Sequence, residues 1–161
     1  MSQIKAYYLF DKTPLPQNVG ADIAHELTRL QELSSSKQEY LRTAYDSITT
    51  QHISGRLGTF LRAHELFSRG AEDLWGRTGF MHCTNQNYLL ALLLVKGGFF
   101  DESDIRLRWT TVNYISPHQY LTIKVADDKW VNVDCWGRHY GISYGNYAHG
   151  FNATPLKSFV E

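Results

Sequence analysis

Cys83, His118 and Asp134 occur in that order along the chain, 35 and 16 residues apart. A thiol, an imidazole and a carboxylate are the parts of a covalent acyl-transfer site. The thiolate attacks a carbonyl, the imidazole carries the proton to the leaving group, and the carboxylate holds the imidazole in its working tautomer. Each residue also has a plainer reading: a buried structural cysteine, a packing histidine, a carboxylate at a strand end. Their settings favour the chemical reading. Cys83 precedes the apolar run Tyr88–Val95, His118 opens the alternating stretch HQYLTIKV, and Asp134 closes KWVNVD. A cysteine at a helix start meets unpaired N–H groups and the positive end of the helix dipole, which favour a thiolate.

The elements that must hold these residues fall into two halves. Residues 20–76 carry helical periodicity. Ile23, Leu27, Leu30 and Leu33 form one stripe; Tyr40, Leu41, Ala44, Tyr45 and Ile48 form a second; Leu57, Phe60, Leu61, His64 and Phe67 form a third. Ser34-Ser35-Ser36 separates the first two and supplies a capping serine. The helix carrying Tyr88–Val95 is apolar on most sides, which predicts a central, buried element. From Leu107 onward the period is two. RLRWTTVNYI is rich in β-branched and aromatic residues, and Leu121, Ile123 and Val125 share one strand face. Helices first and an antiparallel sheet second predict a single α+β domain over residues 1–161.

A three-residue hairpin loop, Asp127-Asp128-Lys129, pairs Ala126 with Trp130 and sets His118, Thr122, Trp130 and Asp134 on one face. In a flat hairpin Asp134 then opposes Thr122, too far from His118 for a hydrogen bond. The reading therefore requires a bulge or strong coiling to close the gap.

These residues carry a resemblance. RTGFMHCTNQNYLLALLLVKGGF resembles the nucleophile helix of the transglutaminase-like superfamily of papain-fold enzymes, HQYLTIKV its histidine strand, and KWVNVDCW its aspartate strand. The resemblance covers about residues 75–136. It implies a papain-like core with Cys83 as nucleophile, His118 as base and Asp134 as orienting acid. Members include peptidases, amidases, peptide N-glycanases, protein cross-linkers and arylamine N-acetyltransferases. The last place Asn near the cysteine, as Asn85 and Asn87 stand here. The chain is short for the additional domains of those enzymes, and Gln119 rather than an aromatic residue follows the histidine directly. Some relatives have lost the triad and act as binding modules, so a peptide- or protein-binding module is the alternative function, with amine transfer or protein cross-linking the alternative chemistry to amide hydrolysis.

Composition narrows the partners. Lys+Arg and Asp+Glu balance at 16 each, so net charge gives no reason to expect nucleic acid or an anionic membrane. The longest apolar run has eight residues, against about 20 for a membrane span. MSQIKAYYLFDK lacks the pattern of a signal peptide, which makes the cytoplasm the expected location. Two cysteines make no disulfide framework, and no Cys-x-x-Cys, HExxH or glycine-rich phosphate loop calls for a metal or cofactor. A peptide, a protein or a small amide or amine is the expected substrate. The glycine- and tyrosine-rich tail offers contact surfaces in Tyr144, Tyr147 and His149, with packing against the sheet as the competing reading. Trp75 and His82 border the cysteine segment, where a second oxyanion donor beside the Cys83 N–H is sought. Trp75 and Trp109 are read first as core residues, as is Cys135, one residue beyond Asp134 and on the opposite strand face.

Overall fold

The first two helices form where the periodicity places them. In the computed structural model, which describes residues 4–153, α1 spans Ala21–Glu32 and α2 spans Lys37–Gln51. The first three residues, and Thr154 of the glycosylation-like Asn152-Ala153-Thr154, lie outside the described residues. Ser36 caps α2 by accepting the Glu39 N–H at 3.2 Å, while Glu39 reaches back to the Ser35 N–H at 2.8 Å. Ile23, Leu27 and Leu30 are buried, as is the whole second stripe. Leu33 is not: it is the exposed C-cap of α1, one residue beyond the turn that faces the core.

The third stripe does not make a buried helix. α3 is only Arg56–Leu61, followed by a 3₁₀ turn at Ala63–Leu66, and neither holds a buried residue. Leu57, Phe60, Leu61 and Phe67 are exposed. Gly58 accounts for part of this. A Cβ there would come within 2.7 Å of the Phe80 ring, so the helix touches the domain through its glycine and turns its large side chains outward. A short α4, Ala71–Trp75, completes the helical half.

α5, Cys83–Lys96, is the central helix expected around Tyr88–Val95. Every residue from Thr84 to Leu94 is buried. α2 packs on one side and the sheet on another. That sheet has three antiparallel strands in the order β5 (Ile105–Val112), β6 (Ser116–Ala126), β7 (Lys129–Val133). Two small ladders tie the remainder together: β1 (Lys5–Ala6) with β3 (Phe67–Ser68), and β2 (His52–Ile53) with β4 (Gly79–Phe80). The result is an α+β fold with N-terminal helices packed against sheets. No helix among the described residues is long and apolar enough to cross a membrane.

β6 is covered on both faces at its start, and this positions the chemistry. Leu121 and Ile123 sit in the core with α5. Gln119, on the same face, takes a 3.1 Å hydrogen bond from Asn87 of α5 and donates at 2.7 Å to the Tyr8 carbonyl. His118 and Tyr120 point to the other face, where the tail packs. There Val112, Trp136, Tyr140, Ile142, Ala148 and Ala153 form a second, smaller core, and Cys83 packs against it.

Candidate active site

The hairpin register decides whether Asp134 reaches His118. Ala126 pairs with Lys129, so the loop is the two residues Asp127-Asp128 rather than three, and a register shift at Val125 follows. Beyond it Lys124 faces Trp130 and Leu121 faces Val133. The tight loop and the bulge together move β7 by two residues from the expected register. Asp134, the first residue past β7, therefore comes opposite Tyr120 instead of Thr122. Tyr120 and His118 are two apart on one face, so the pair becomes a diagonal neighbour within side-chain reach.

His118 Nε2 lies 2.8 Å from Asp134 Oδ2, with both side chains almost wholly buried. The carboxylate is held by two further donors, the Gly137 N–H on Oδ1 at 2.7 Å and the Ala148 N–H on Oδ2 at 2.8 Å. Three donors supply what a buried carboxylate loses on leaving water. Gly137 must be small: a Cβ there would stand 2.6 Å from Asp134 Oδ2. The Trp136 ring, 4.8 Å from the imidazole and stacked at 4.3 Å on Tyr140, walls this corner.

Nε2 of His118 is the ring nitrogen engaged by Asp134, and Cys83 packs against the small core whose Trp136 ring lies beside the imidazole. Cys83 is the first residue of α5 and is partly exposed, with His82 as N-cap. Burial opposes a charge on His118. The Asp134 charge and hydrogen bond outweigh burial, with a smaller influence from Cys83, and push the imidazole pKa up to about 10. The first-turn N–H groups of α5 lack intrahelical partners, and the Cys83 N–H is among them.

Other sequence-selected residues separate into three groups. Tyr147 and His149 stay near the site. Tyr147 stacks on Tyr120 with centroids 4.1 Å apart and planes at 6°, and His149 follows at 4.9 Å. Tyr144 does not. It packs 5.2 Å from Tyr45 of α2, under the Arg42 guanidinium, and burial raises its pKa to about 12. Trp75 belongs to the main core beside His52, and His82 is buried with Nε2 on the Arg62 carbonyl at 2.8 Å. Burial lowers the His82 pKa, and the contact with the Arg62 carbonyl tethers the segment after α3. Asn85 and Asn87 likewise act as ties, to the Glu65 carbonyl and to Gln119. Cys135 is fully buried and burial raises its pKa, as a core position requires. Trp109, read as core, is instead half exposed at the sheet edge.

Sequence reasoning missed Trp136, Gly137 and Ala148. Asp134 accepting the N–H three residues on is a turn that Asp followed by Gly favours, so Asp134-Cys135-Trp136-Gly137 carried a signal. Ala148 carried none, since it acts through its backbone. No protein-family model matches this chain, and no curated protein or solved structure matches it either.

Proposed function

We propose that the protein is a cysteine-nucleophile acyl-transfer enzyme that hydrolyses an amide or peptide bond, with Cys83 as nucleophile, His118 as proton carrier and Asp134 as the group that fixes its tautomer. The observation that carries this reading is the buried His118–Asp134 hydrogen bond, with Cys83 at a helix start and packed against the same small core. The resemblance of residues 75–136 to transglutaminase-like enzymes supports the same roles.

The steps balance. The Cys83 sulfur bonds to the carbonyl carbon, and the electron pair moves to the oxygen, which the Cys83 N–H faces as a donor. The tetrahedral adduct collapses, the carbon–nitrogen bond breaks, and His118 gives its proton to the departing amine. A thioester remains. His118, now neutral, takes a proton from water as the water oxygen attacks, and the thiolate leaves the carboxylic acid. An amine in place of water turns the same cycle into acyl transfer.

Intact-mass analysis tests this. Incubation with iodoacetamide and with a panel of activated esters is expected to label Cys83 while Cys135 stays unmodified. Cys83→Ala should lose the label with its fold intact. The burial of His118 and Asp134 also suits a binding module, in which the pair is only structural. A Cys83 that reacts no faster than an unfolded-chain cysteine and never holds an acyl group favours the module and refutes the enzyme.

A further inference from the structure

The open edge of the sheet, far along the chain from the tail, has the features of a peptide-docking strand. The two edges are treated differently. β7 is bridged by Gly145 at Asn132. Among the described residues β5 is bridged only at its end, where Gly150 donates to the Thr111 carbonyl at 2.9 Å and accepts from the Asn113 N–H at 2.5 Å. Those bonds fix the parity of β5: the backbone groups of Thr111 point outward, and so do those of Ile105, Leu107 and Trp109, two residues apart. The opposite parity pairs inward, as the 3.3 Å bond from the Ile115 N–H to the Val112 carbonyl shows. Among the described residues nothing pairs with the outward groups of Leu107 and Trp109. A groove of about 450 Å³ runs along this edge, lined by Ile105–Trp109 and walled by Phe10–Lys12 and Ser103.

The two faces of that edge differ in chemistry. On the core face Leu107 is followed by Trp109, 46% exposed, and Phe10, 88% exposed, lies across the groove. On the other face stand Arg106 and Arg108, exposed and without a carboxylate partner among the described residues; the Arg106 guanidinium lies 3.8 Å over Trp130. Among the described residues Asp11 supplies the groove's one lining carboxylate, beside Lys12, which bonds the Glu102 carbonyl.

We infer that β5 accepts an extended peptide segment of another protein as a fourth strand, with apolar side chains on the Trp109 face alternating with acidic side chains on the Arg106/Arg108 face. Backbone hydrogen bonds to an open edge supply affinity, and alternating side chains supply selectivity. Five strand residues offer about 17 Å of edge. A second copy of this chain fits poorly, because a symmetric β5–β5 pairing sets arginine against arginine. The inference is independent of the acyl-transfer reading.

The test uses a fluorescein-labelled peptide of alternating glutamate and valine, with an alternating lysine–valine peptide beside it, read by fluorescence anisotropy on the full chain. The acidic peptide should bind and shift the amide resonances of Leu107 and Trp109. Trp109→Pro removes an outward N–H and leaves the β6 ladder whole. It should weaken binding about tenfold relative to Trp109→Ala. The double variant Arg106→Glu/Arg108→Glu, whose changes are both at the surface, should reverse the preference toward the lysine peptide. Absence of binding, equal affinity for the two peptides, shifts confined to other residues, or a dimer in solution that Trp109→Pro dissolves would each overturn the proposal.

Discussion

Gly137→Ala tests the candidate site at its tightest point. The added Cβ would sit 2.6 Å from Asp134 Oδ2, 2.8 Å from its Cγ and 3.1 Å from Ile142 Cβ. Comfortable carbon contacts begin near about 3.5 Å, so the carboxylate must retreat by roughly an ångström. Oδ2 then leaves both the His118 nitrogen and the Ala148 N–H, each at 2.8 Å in the native fold, and beyond about 3.6 Å neither contact is a hydrogen bond. Bonds to a charged partner contribute about 1.5–3 kcal/mol each, and overpacking costs about 1–3 kcal/mol. Partial relaxation leaves an expected loss of about 2–4 kcal/mol. At about 2–4 °C per kcal/mol for a chain of this size, the melting midpoint should fall by roughly 5–15 °C. The same shift removes the Asp134 hydrogen bond that helps raise the His118 pKa and weakens the attraction of its charge, while burial, which lowers the pKa, persists. The His118 titration, followed by its imidazole carbon–proton resonance, should therefore move down from about 10. A variant that melts within 1 °C of the native chain and keeps the native titration would refute the link between Gly137, the Asp134 position and the His118 charge.

Three further outcomes are expected. Asp134→Asn should keep the shape of the corner yet slow turnover of any identified substrate by about 10²-fold or more, since the amide supports the wrong tautomer; near-native steady-state rates at neutral pH would remove Asp134 from the mechanism. His52 is fully buried, neither ring nitrogen has a hydrogen-bond partner among the described residues, and burial lowers its pKa to about 4. The unfolded chain therefore binds a proton first, near pH 6.5. His52 supports the fold above that pH, and up to about 3 kcal/mol is lost as the pH falls toward 4; urea melts of His52→Phe should show a flatter acid limb. His118 has the opposite sign: its raised pKa stabilises fully below about 6.5, and that stabilisation is lost as pH rises toward about 10. Tyr144→Ala should cost about 2–3 kcal/mol and leave kcat/KM unchanged for folded molecules, whereas Tyr147→Ala should cost less and weaken substrate capture; equal behaviour of the two variants would contradict their separate placements.

The sequence revealed most where a pattern repeats. The stripes of α1 and α2, the apolar run of α5 and the alternation of β6 each sum many residues that agree, and the folded elements follow them. The third helical stripe was misleading because an amphipathic pattern records which residues share a side, not which side faces the core. Leu57, Phe60 and Leu61 do share a side, and it faces outward because the single small residue, Gly58, is the one that fits against Phe80. Trp109 misled for a related reason. Its position on β5 is read correctly, but β5 is an edge strand, and the ring stands half exposed there. The tail gave least, because its contacts run through backbone groups of Gly137 and Ala148, through stacking on Tyr120 and through an edge-on contact with Tyr45.

The candidate site turns on something smaller than any of these patterns. Strand alternation alone puts His118 and Asp134 on one face for any even shift of register, so parity cannot tell a useful pairing from a useless one. A three-residue loop and a two-residue loop with a bulge both satisfy parity, yet they differ by two residues, about 7 Å along the strand. Only the second brings Asp134 diagonal to His118. Val125 is where the difference is made: the shift between Lys124 and Ala126 offsets the tight turn at Asp127-Asp128 and returns Val131 and Val133 to the core face. The apolar side chains of β7 thus enforce the bulge, since without it they would point to the opposite face. Burial of two valines fixes the register, and the register places the carboxylate against the imidazole. Any change that moves the turn by one residue should therefore be repaired by the bulge before it is felt in the core, and would be felt first at Asp134.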